Sequence, residues 1–421
     1  MPLPTRRILL VDCDMFFVQV ARLEDPDGAG QEPLLMVGGS PSGRGVITSA
    51  AYEVRAFGVH SGMPTARALE LCPKGVVVPV PRGACVARSR AVRKVLERWT
   101  PVLEAASIDE FYLDLTGTER LFRAESLAAT AQRLREDVLQ ETSISVSVGG
   151  GTQRMVAKVA VARAKPGGVH VVPPGEEAAF LQSLPLETLP GVGPALLELL
   201  VSRGLRTGND VMAAGEEWLI RWCGQRRGRW LFQRLSGVDP TPISPGQDRK
   251  SVSSERTFPR DLDTAAELER QLLGLATSVG RGLRKRGLRG RTVTVKLRLH
   301  DFATYSAARS VADGLETDPA LFALALELFR ELRSRHSGGV RLLGVGVSSL
   351  DTTHEGEQLA LFDASGPRGE SPAQRRLARV QDQLRDRFGE SAIRPGSMTP
   401  LPMKPDTPPA SGTTPPTDEE P

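Results

Sequence analysis

Apolar and polar positions alternate along the first 170 residues in segments that predict a series of strands and helices. The run Ile8-Leu9-Leu10-Val11 predicts a buried strand, and a helix is predicted directly after it. The same patterns predict strands in 43–50, 75–80, 106–117 and 143–151, and helices over about 86–100, 124–141 and 153–164. Strands that alternate with helices predict an α/β or α+β organisation for this half of the chain.

The pattern changes after residue 184, where short apolar segments around LPGVGPALLELL (189–200) predict an αα turn. The polar, proline-containing segment GVDPTPISPGQDRK (237–250) resembles a linker. Beyond it, a compact αβ module is predicted from strands or helices in 251–258, 264–286, 291–299, 306–311, 318–336 and 340–348. Residues 372–388 have helical spacing, and the Pro- and Thr-rich residues 398–421 are expected to be disordered because they cannot build a core.

Composition is typical of a globular protein of two to four domains, since 421 residues exceed one ordinary core and 40% of them are hydrophobic. No stretch approaches the roughly 20 apolar residues of a membrane span. The first apolar run meets Asp12 too early for a signal peptide. We therefore expect a cytoplasmic protein without a membrane partner. The four cysteines form no CxxC pair, so a structural zinc site is not expected.

Two acidic pairs interrupt segments that otherwise predict strands: Asp12 with Asp14, and Asp109 with Glu110. Residues i and i+2 of a strand share a face, and buried like charges are costly unless a cation neutralises them. Mg²⁺ prefers such oxygen ligands and takes substrate phosphates as partners. For either pair alone the simpler interpretation is a helix cap or a turn.

Four motifs that occur in a defined order favour the metal-site interpretation over a helix cap or a turn. They are VDCDMFF (11–17), AAYEVRAFGVHSGMPTARALELCP (50–73), SIDEFYLDLTG (107–117) and AKPGG (164–168). Together they resemble the polymerase domain of Y-family DNA polymerases of the DinB (DNA polymerase IV) type, over roughly residues 6–350. The resemblance implies an α+β right-hand polymerase with palm, fingers, helical thumb and a separate αβ little finger. The implied bounds are 1–14 and 75–166 for the palm, 15–74 for the fingers, 167–240 for the thumb, 241–250 for a linker, 251–350 for the little finger, 351–397 for a clamp-binding peptide and C-terminal helix, and 398–421 for a disordered tail.

The resemblance also implies error-prone translesion synthesis, in which a primer 3′-OH attacks a dNTP with two Mg²⁺ ions bound. Asp12, Asp109 and Glu110 would be the catalytic metal ligands, Cys13 would add its backbone carbonyl, and Asp14 would have a supporting role. Phe17 would be a steric gate against the ribose 2′-OH. The other expected nucleotide-binding residues are Phe16, which is also expected in the core, Ser49, Tyr52, Arg55 and Lys165. Lys158 could be a simple helix-face lysine, and no chemistry is assigned to His60.

Two regions are expected to contact primer–template DNA. The turn Gly191-Val192-Gly193 of a predicted helix-hairpin-helix presents backbone N–H groups that suit a phosphate. Residues 281–300 hold eight Arg or Lys and no acid, which suits backbone phosphates. The contacts expected in this segment are Arg284, Lys285, Arg286, Arg289, Arg291, Lys296 and Arg298.

The segment QLALF (358–362) resembles a sliding-clamp-binding peptide, with Gln358, Leu359, Leu361 and Phe362 as its contacts. It lies inside the chain, which leaves open whether the following helix holds it. A monomer is expected. Two other readings stay open: a non-catalytic DNA- and clamp-binding adaptor, against which the intact acidic residues argue, and another nucleotidyl transferase on a similar palm, which would not need the hairpin or the basic segment.

Overall fold

The computed structural model describes residues 5–122, 125–246, 249–352, 370–389 and 392–393, and it divides into two compact units, Met1–Asp248 and Arg249–Pro421. The strands are β1 Ile8–Cys13, β2 Leu35–Gly38, β3 Ile47–Ala50, β4 Val76–Val78, β5 Leu103–Ala105, β6 Glu110–Asp114, β7 Val146–Gly151, β8 Val169–Val171, β9 Ser251–Leu262, β10 Leu288–Leu299, β11 Thr304–Leu315 and β12 Val340–Thr352. The α-helices are α1 Phe16–Glu24, α2 Tyr52–Arg55, α3 Thr65–Leu71, α4 Arg82–Leu96, α5 Leu127–Thr142, α6 Arg154–Ala164, α7 Glu177–Gln182, α8 Pro194–Val201, α9 Gly208–Ala214, α10 Glu216–Cys223, α11 Gln225–Leu235, α12 Ala265–Arg284, α13 Asp318–Arg335 and α14 Pro372–Phe388. The predicted clamp peptide and the predicted disordered tail lie outside the described residues.

A five-stranded sheet forms the centre of the N-terminal unit, in the order β5-β6-β1-β7-β8. Strand β1 lies in the middle and pairs antiparallel with β6 and β7, so both of its edges are hydrogen-bonded, and all six of its residues are buried. Leu9 and Val11 join the apolar cluster that includes α4 and α5, whereas Ile8 and Leu10 pack with residues of α6. A central strand therefore reads as a continuous apolar run, as the sequence pattern predicted.

Helix α6 lies directly on β7 because glycine occupies the contact. A Cβ at Gly149 would come within 2.3 Å of both the Ala157 carbonyl oxygen and the Val161 nitrogen. The close approach fixes α6 against the sheet. As a result, residues at one side of α6 face the ends of β5, β6 and β1.

A second, three-stranded sheet in the order β3-β2-β4 packs with α1 and α3 around a separate apolar cluster. Its middle strand β2 is fully buried and was not predicted from the sequence. The short strands β5 and β8 were missed as well. All three strands have only three or four residues, which is too short to show the periodicity that identifies a strand.

The helices α7–α11 form a third apolar cluster. The predicted αα turn lies at the start of α8, with Gly191 at φ +96°. A Cβ at Gly191 would also come within 2.5 Å of the Trp230 ring. Glycine is needed there for backbone conformation and for space.

The segment predicted as a linker is anchored over its first half. Ile243 is buried in the cluster beneath the five-stranded sheet, and the Ser244 N–H donates to Glu104 at 3.0 Å. Near the start of the same segment, Asp239 accepts a hydrogen bond from the Met155 N–H at 3.0 Å. The proline-containing sequence is thus a strap along the sheet, because its few apolar and polar groups find partners there.

The C-terminal unit is a four-stranded antiparallel sheet, in the order β11-β10-β12-β9, with α12 and α13 packed on one face. Helix α14 joins this unit by its charged side: Asp382 and Asp386 pair with Arg284 and Arg281 of α12. Its apolar side chains Leu377, Val380, Leu384 and Phe388 are exposed. No helix among the described residues is long and apolar enough to cross a membrane.

Candidate active site

The two acidic motifs meet at one end of the five-stranded sheet. The antiparallel register places Asp12 directly opposite Glu110, and the Cys13 N–H donates to the Asp109 carbonyl oxygen at 2.9 Å. Strand β6 begins at Glu110, so Asp109 lies in the bend that precedes it. This bend lets two adjacent residues border the same cleft, which a regular strand would not allow.

The three acidic residues line a cleft of about 450 Å³. The other lining residues come from four separate parts of the N-terminal unit: Cys13, Met15, Phe16, Phe17, Thr48, Ser49, Arg55, His60, Ser61 and Lys165. Most of the site residues predicted from the acidic and nucleotide-binding motifs are therefore brought together. The sequence did not identify Met15, Thr48 or Ser61, which carry no distinctive chemistry, and assigned none to His60.

Asp12 is the most buried acid of the cleft, with 6% of its surface exposed. Burial raises the pKa of Asp12 to about 6, against the lowering effect of Lys165, whose Nζ lies 2.7 Å from Asp12 Oδ1. A buried carboxylate with a raised pKa gains from any cation placed beside it. The site thus offers hard oxygen donors at a place where positive charge is favourable.

The other two acids also have polar partners. Glu110 forms an ion pair with Lys158 of α6, and Asp109 accepts a hydrogen bond from the Ser107 hydroxyl. Within the described ranges, no three His, Cys, Asp or Glu side chains already stand in position to share one metal ion. The carboxylate oxygen atoms fit a divalent cation, but two of the three acids are already in ion pairs, Asp12 with Lys165 and Glu110 with Lys158.

Asp14 has a different role from its neighbours. Its carboxylate is buried and accepts hydrogen bonds from the hydroxyls of Tyr52 (3.1 Å), Ser145 (2.9 Å) and Ser147 (2.7 Å) and from the Gly167 N–H (2.9 Å). These donors come from α2, from β7 and the residue before it, and from the loop after α6. Asp14 therefore ties together the elements that surround the cleft, and this position agrees with a supporting role.

The chain turns sharply between β1 and α1 at Met15, which has φ 35° and ψ 48°. A non-glycine residue in this region is strained, and such strain is often found at functional sites. The turn places Phe16 in the core, 1% exposed, and leaves Phe17 half-buried beside the cleft, with the two ring centroids 5.5 Å apart. Phe17 is thus the ring with a surface available to a ligand.

The predicted phosphate-binding residues differ in their positions. Ser49 is buried on β3 and borders the cleft, and Arg55 borders it from the end of α2. The Arg55 guanidinium lies 4.6 Å from the centre of the Tyr52 ring, while Arg55 Nε donates to the Ala50 carbonyl oxygen. Tyr52 points its hydroxyl at Asp14 and is not among the lining residues. Its assignment to the nucleotide stays a prediction.

The predicted helix-hairpin-helix lies beside a separate shallow cleft. Gly191 and Gly193 line it together with Arg227 and Trp230 of α11. Val192 is 8% exposed and packs in the helical cluster, and its N–H group donates to the Leu189 carbonyl oxygen at 3.0 Å, so neither its side chain nor its N–H group is available for a ligand. A Cβ at Gly193 would meet no atom within 4 Å, which shows that this part of the turn is open.

The basic segment of the C-terminal unit divides into buried and exposed parts. In β10 the residues Val293, Val295 and Leu297 face the core, and the alternating Lys296 and Arg298 lie on the opposite face of the sheet. Several of the expected DNA contacts already have protein partners. Lys296 pairs with Glu255, Arg291 pairs with Asp351, and Arg298 donates a hydrogen bond to the Thr304 hydroxyl. Arg289 is half-buried and also has a partner within the protein. Lys285 and Arg286 are exposed.

Arg284 requires a correction. Its side chain is 2% exposed and is held by Asp318 at 2.7 Å, by Asp382 at 2.7 Å and by the Glu316 carbonyl oxygen at 2.6 Å. A guanidinium with its donors used inside the fold cannot also contact DNA. The prediction for Arg284 is wrong because a run of basic residues does not reveal which of them is the partner of distant acids.

Comparison with known proteins identifies the family. Residues 11–162 match the impB/mucB/samB family, and residues 249–361 match the C-terminal domain of the same family. The chain is 36% identical to a DNA polymerase IV of Desulfatibacillum aliphaticivorans over 93% of its length and 96% of the relative. It is 35% identical to a DNA polymerase IV of Staphylococcus saprophyticus over 85% of its length and 99% of the relative.

Solved structures agree with this assignment. A Y-family DNA polymerase chimera of Dbh and Dpo4 segments shares 25% identity with a TM-score of 0.75, over 82% of this chain and 99% of the chimera. DinB from Sulfolobus solfataricus shares 25% identity with a TM-score of 0.56, over 81% of this chain and 98% of that protein. The α+β architecture matches the palm, fingers, thumb and little finger of these enzymes. The chain therefore belongs to the Y family of DNA polymerases, in the branch that contains the DNA polymerases IV.

Proposed function

We propose that this protein is a template-directed DNA polymerase of the translesion type, which adds dNTPs to a primer 3′-OH and releases pyrophosphate. The observation that carries the proposal is the convergence of Asp12, Asp109 and Glu110 on one cleft from strands about 95 residues apart. Family membership supports the reaction class and the binding of primer–template DNA.

Metal-dependent catalysis follows from the family, and we assign Mg²⁺ to the carboxylate cluster as two ions. Asp12, Asp109 and Glu110 would hold them with their side chains, and Cys13 would add its backbone carbonyl. When bound, such ions activate the attacking hydroxyl and neutralise charge on the phosphates. The raised pKa of Asp12 supports the assignment, because a cation beside this carboxylate would keep it ionised.

The remaining cleft residues would bind and select the nucleotide. Lys165 and Arg55 supply positive charge at the rim, and Ser49 supplies a hydroxyl, which together suit a triphosphate. Tyr52 would orient Arg55 through the contact between its ring and the guanidinium. Phe17 presents a half-buried ring where a 2′-OH would clash, and Phe16 supports it from the core.

DNA would be held by backbone contacts, without sequence preference. We assign phosphate binding to the backbone N–H groups of Gly191 and Gly193 and to exposed basic residues of the C-terminal unit, and we leave out Val192 because its N–H group donates to the Leu189 carbonyl oxygen. Lys285 and Arg286 are the strongest candidates there because their side chains are exposed. Arg289, Arg291, Lys296 and Arg298 would have to exchange protein partners for phosphates, which lowers their expected contribution.

We further propose a monomer in the cytoplasm that binds a sliding clamp through Gln358, Leu359, Leu361 and Phe362. The domain bounds given by the sequence are kept as proposals, except that residues 239–244 are assigned to the palm, because they contact α6 and strand β5. Clamp pull-down with the full chain tests the peptide: replacing Leu361 and Phe362 by alanine should abolish capture. Unchanged capture would exclude this segment as the binding site.

Primer extension with Mg²⁺ tests the polymerase proposal. Wild type should extend a primer on undamaged template and past defined lesions. Asp109→Ala should lower the rate at least about 1000-fold while DNA binding persists, since each metal-centred contribution is worth several kcal/mol. An inactive wild type that still binds DNA and clamp would favour the adaptor function instead.

A further inference from the structure

The carboxylate cluster carries its own cations. Lys165 Nζ lies 2.7 Å from Asp12 Oδ1, and Lys158 forms an ion pair with Glu110. Two of the three carboxylates are thus already paired with ammonium groups. A divalent ion that enters this cleft has to compete with the lysines for oxygen atoms.

The two lysines differ in what could draw them away. Lys165 lines the cleft, and the proposed triphosphate offers it a second anionic partner. Lys158 is not among the lining residues and extends from the middle of α6, with 31% of its side chain exposed. One turn earlier on the same helix, Arg154 binds Glu104 at 2.6 and 2.7 Å, so α6 presents successive cations to acids of β5 and β6.

We infer that Lys158 is an internal counter-ion that competes with divalent metal for Glu110 and keeps metal affinity low until nucleotide is bound. The inference rests on the proposed metal site and goes beyond it by assigning a role to a residue outside the ligand set. Because α6 is fixed on β7 through the contact at Gly149, the ammonium group is held close to Glu110. Lys158 is a positioning residue, since it acts through Glu110.

The consequence is coupled binding. Nucleotide phosphates offer Lys165 an alternative to Asp12, and their negative charge also helps a divalent ion to compete with Lys158 for Glu110. Metal alone gains less, because each ion pair that it breaks leaves an ammonium group without a partner in a partly buried cleft. Metal and nucleotide should therefore strengthen each other's binding.

The test measures Mn²⁺ binding to the purified full chain without nucleotide, from the electron paramagnetic resonance signal of free Mn²⁺. Lys158→Met should tighten binding by about tenfold or more, since the Coulomb repulsion between a unit positive charge and a divalent ion a few ångström away is large enough to change a binding constant by that factor. Lys158→Arg should behave like wild type because it keeps the charge. Arg163→Met is the matched control, since it removes one charge from the same helix at a residue whose guanidinium lies over Phe180.

Two outcomes overturn the inference: Lys158→Met binds Mn²⁺ no more tightly than wild type, or Arg163→Met gives the same gain. Adding Asp109→Asn to Lys158→Met should remove the gain, and a gain that survives would overturn the metal site itself. Primer extension distinguishes a failure of the inference about Lys158 from a failure of the polymerase proposal. An active, Asp109-dependent wild type with no gain in Lys158→Met leaves the polymerase proposal standing and rejects the competition.

Discussion

Replacement of Asp14 gives a sharp test of its structural role. The carboxylate accepts four hydrogen bonds, two at each oxygen, and it is 2% exposed. Asp14→Ala would leave buried donors without an acceptor, at about 1–3 kcal/mol for each donor that finds no other partner. The three hydroxyl groups can rotate toward other acceptors, whereas the Gly167 N–H can turn only slightly and keeps Ser147 as a second acceptor at 2.9 Å. We therefore expect a loss of about 4 kcal/mol in the free energy of unfolding.

Asp14→Asn should cost less, about 2 kcal/mol, because its amide oxygen can take the place of Oδ2 while its amide N–H groups donate to rotated hydroxyls. Tyr52→Phe removes a single donor and should cost about 1 kcal/mol. The series thus predicts a graded order in which Ala is worst, Asn intermediate and Phe at Tyr52 mildest. A graded order would not arise if Asp14 acted only in the chemical step.

Tryptophan fluorescence during urea unfolding measures these differences. All four tryptophans, Trp99, Trp218, Trp222 and Trp230, lie in the N-terminal unit, so the signal reports that unit. A loss of about 4 kcal/mol should lower the urea midpoint by about 1–2 M. Asp14→Ala within about 1 kcal/mol of wild type would refute the structural role. A stable Asp14→Asn without any extension activity would instead place Asp14 in the chemistry.

Three further predictions concern selectivity, the C-terminal unit and pH. Phe17→Ala should raise ribonucleotide incorporation at least about tenfold in single-nucleotide extension, since the half-buried ring would no longer exclude a 2′-OH; discrimination equal to wild type would reject the gate. Arg284→Ala should destabilise the C-terminal unit by about 3–5 kcal/mol in hydrogen exchange, because it removes the 2.7 Å ion pairs of both Asp318 and Asp382 and leaves them only longer contacts with Arg385. Arg286→Ala should leave stability unchanged and weaken DNA binding. If Arg284→Ala weakened DNA binding and Arg286→Ala lowered stability instead, the structural and DNA-binding roles of these two residues would be exchanged. The folded chain binds an extra proton at Asp12 between its ordinary pKa of 3.8 and the raised pKa of about 6, so its contribution to stability falls as pH rises through this window. Asp12→Asn in EDTA should therefore raise the free energy of unfolding by about 3 kcal/mol at pH 7.5 and have little effect at pH 4; equal effects at both pH values would contradict the assignment.

The sequence determined the order of the elements and the family to which the chain belongs. A continuous apolar run specified the central strand β1, and helical spacing located α6, α12, α13 and α14 within a few residues. The resemblance of the ordered motifs to Y-family DNA polymerases also implied that Asp12, Asp109 and Glu110 belong to one set. The strands and helices are local features, so they can be predicted from residue types and spacing alone.

Tertiary structure decided which residues are partners. The antiparallel register put Asp12 opposite Glu110, and the packing of α6 brought Lys158 to the same acid. Arg284 is buried because it pairs with Asp318 and Asp382, which are remote in the sequence, whereas its neighbours Lys285 and Arg286 are exposed. Helix α14 was correctly predicted as a helix, but its charged side faces the domain because Arg284 and Asp382 pair there. Periodicity specifies that a helix has two different faces, but only long-range contacts determine what each face meets, since burial depends on residues remote in the chain.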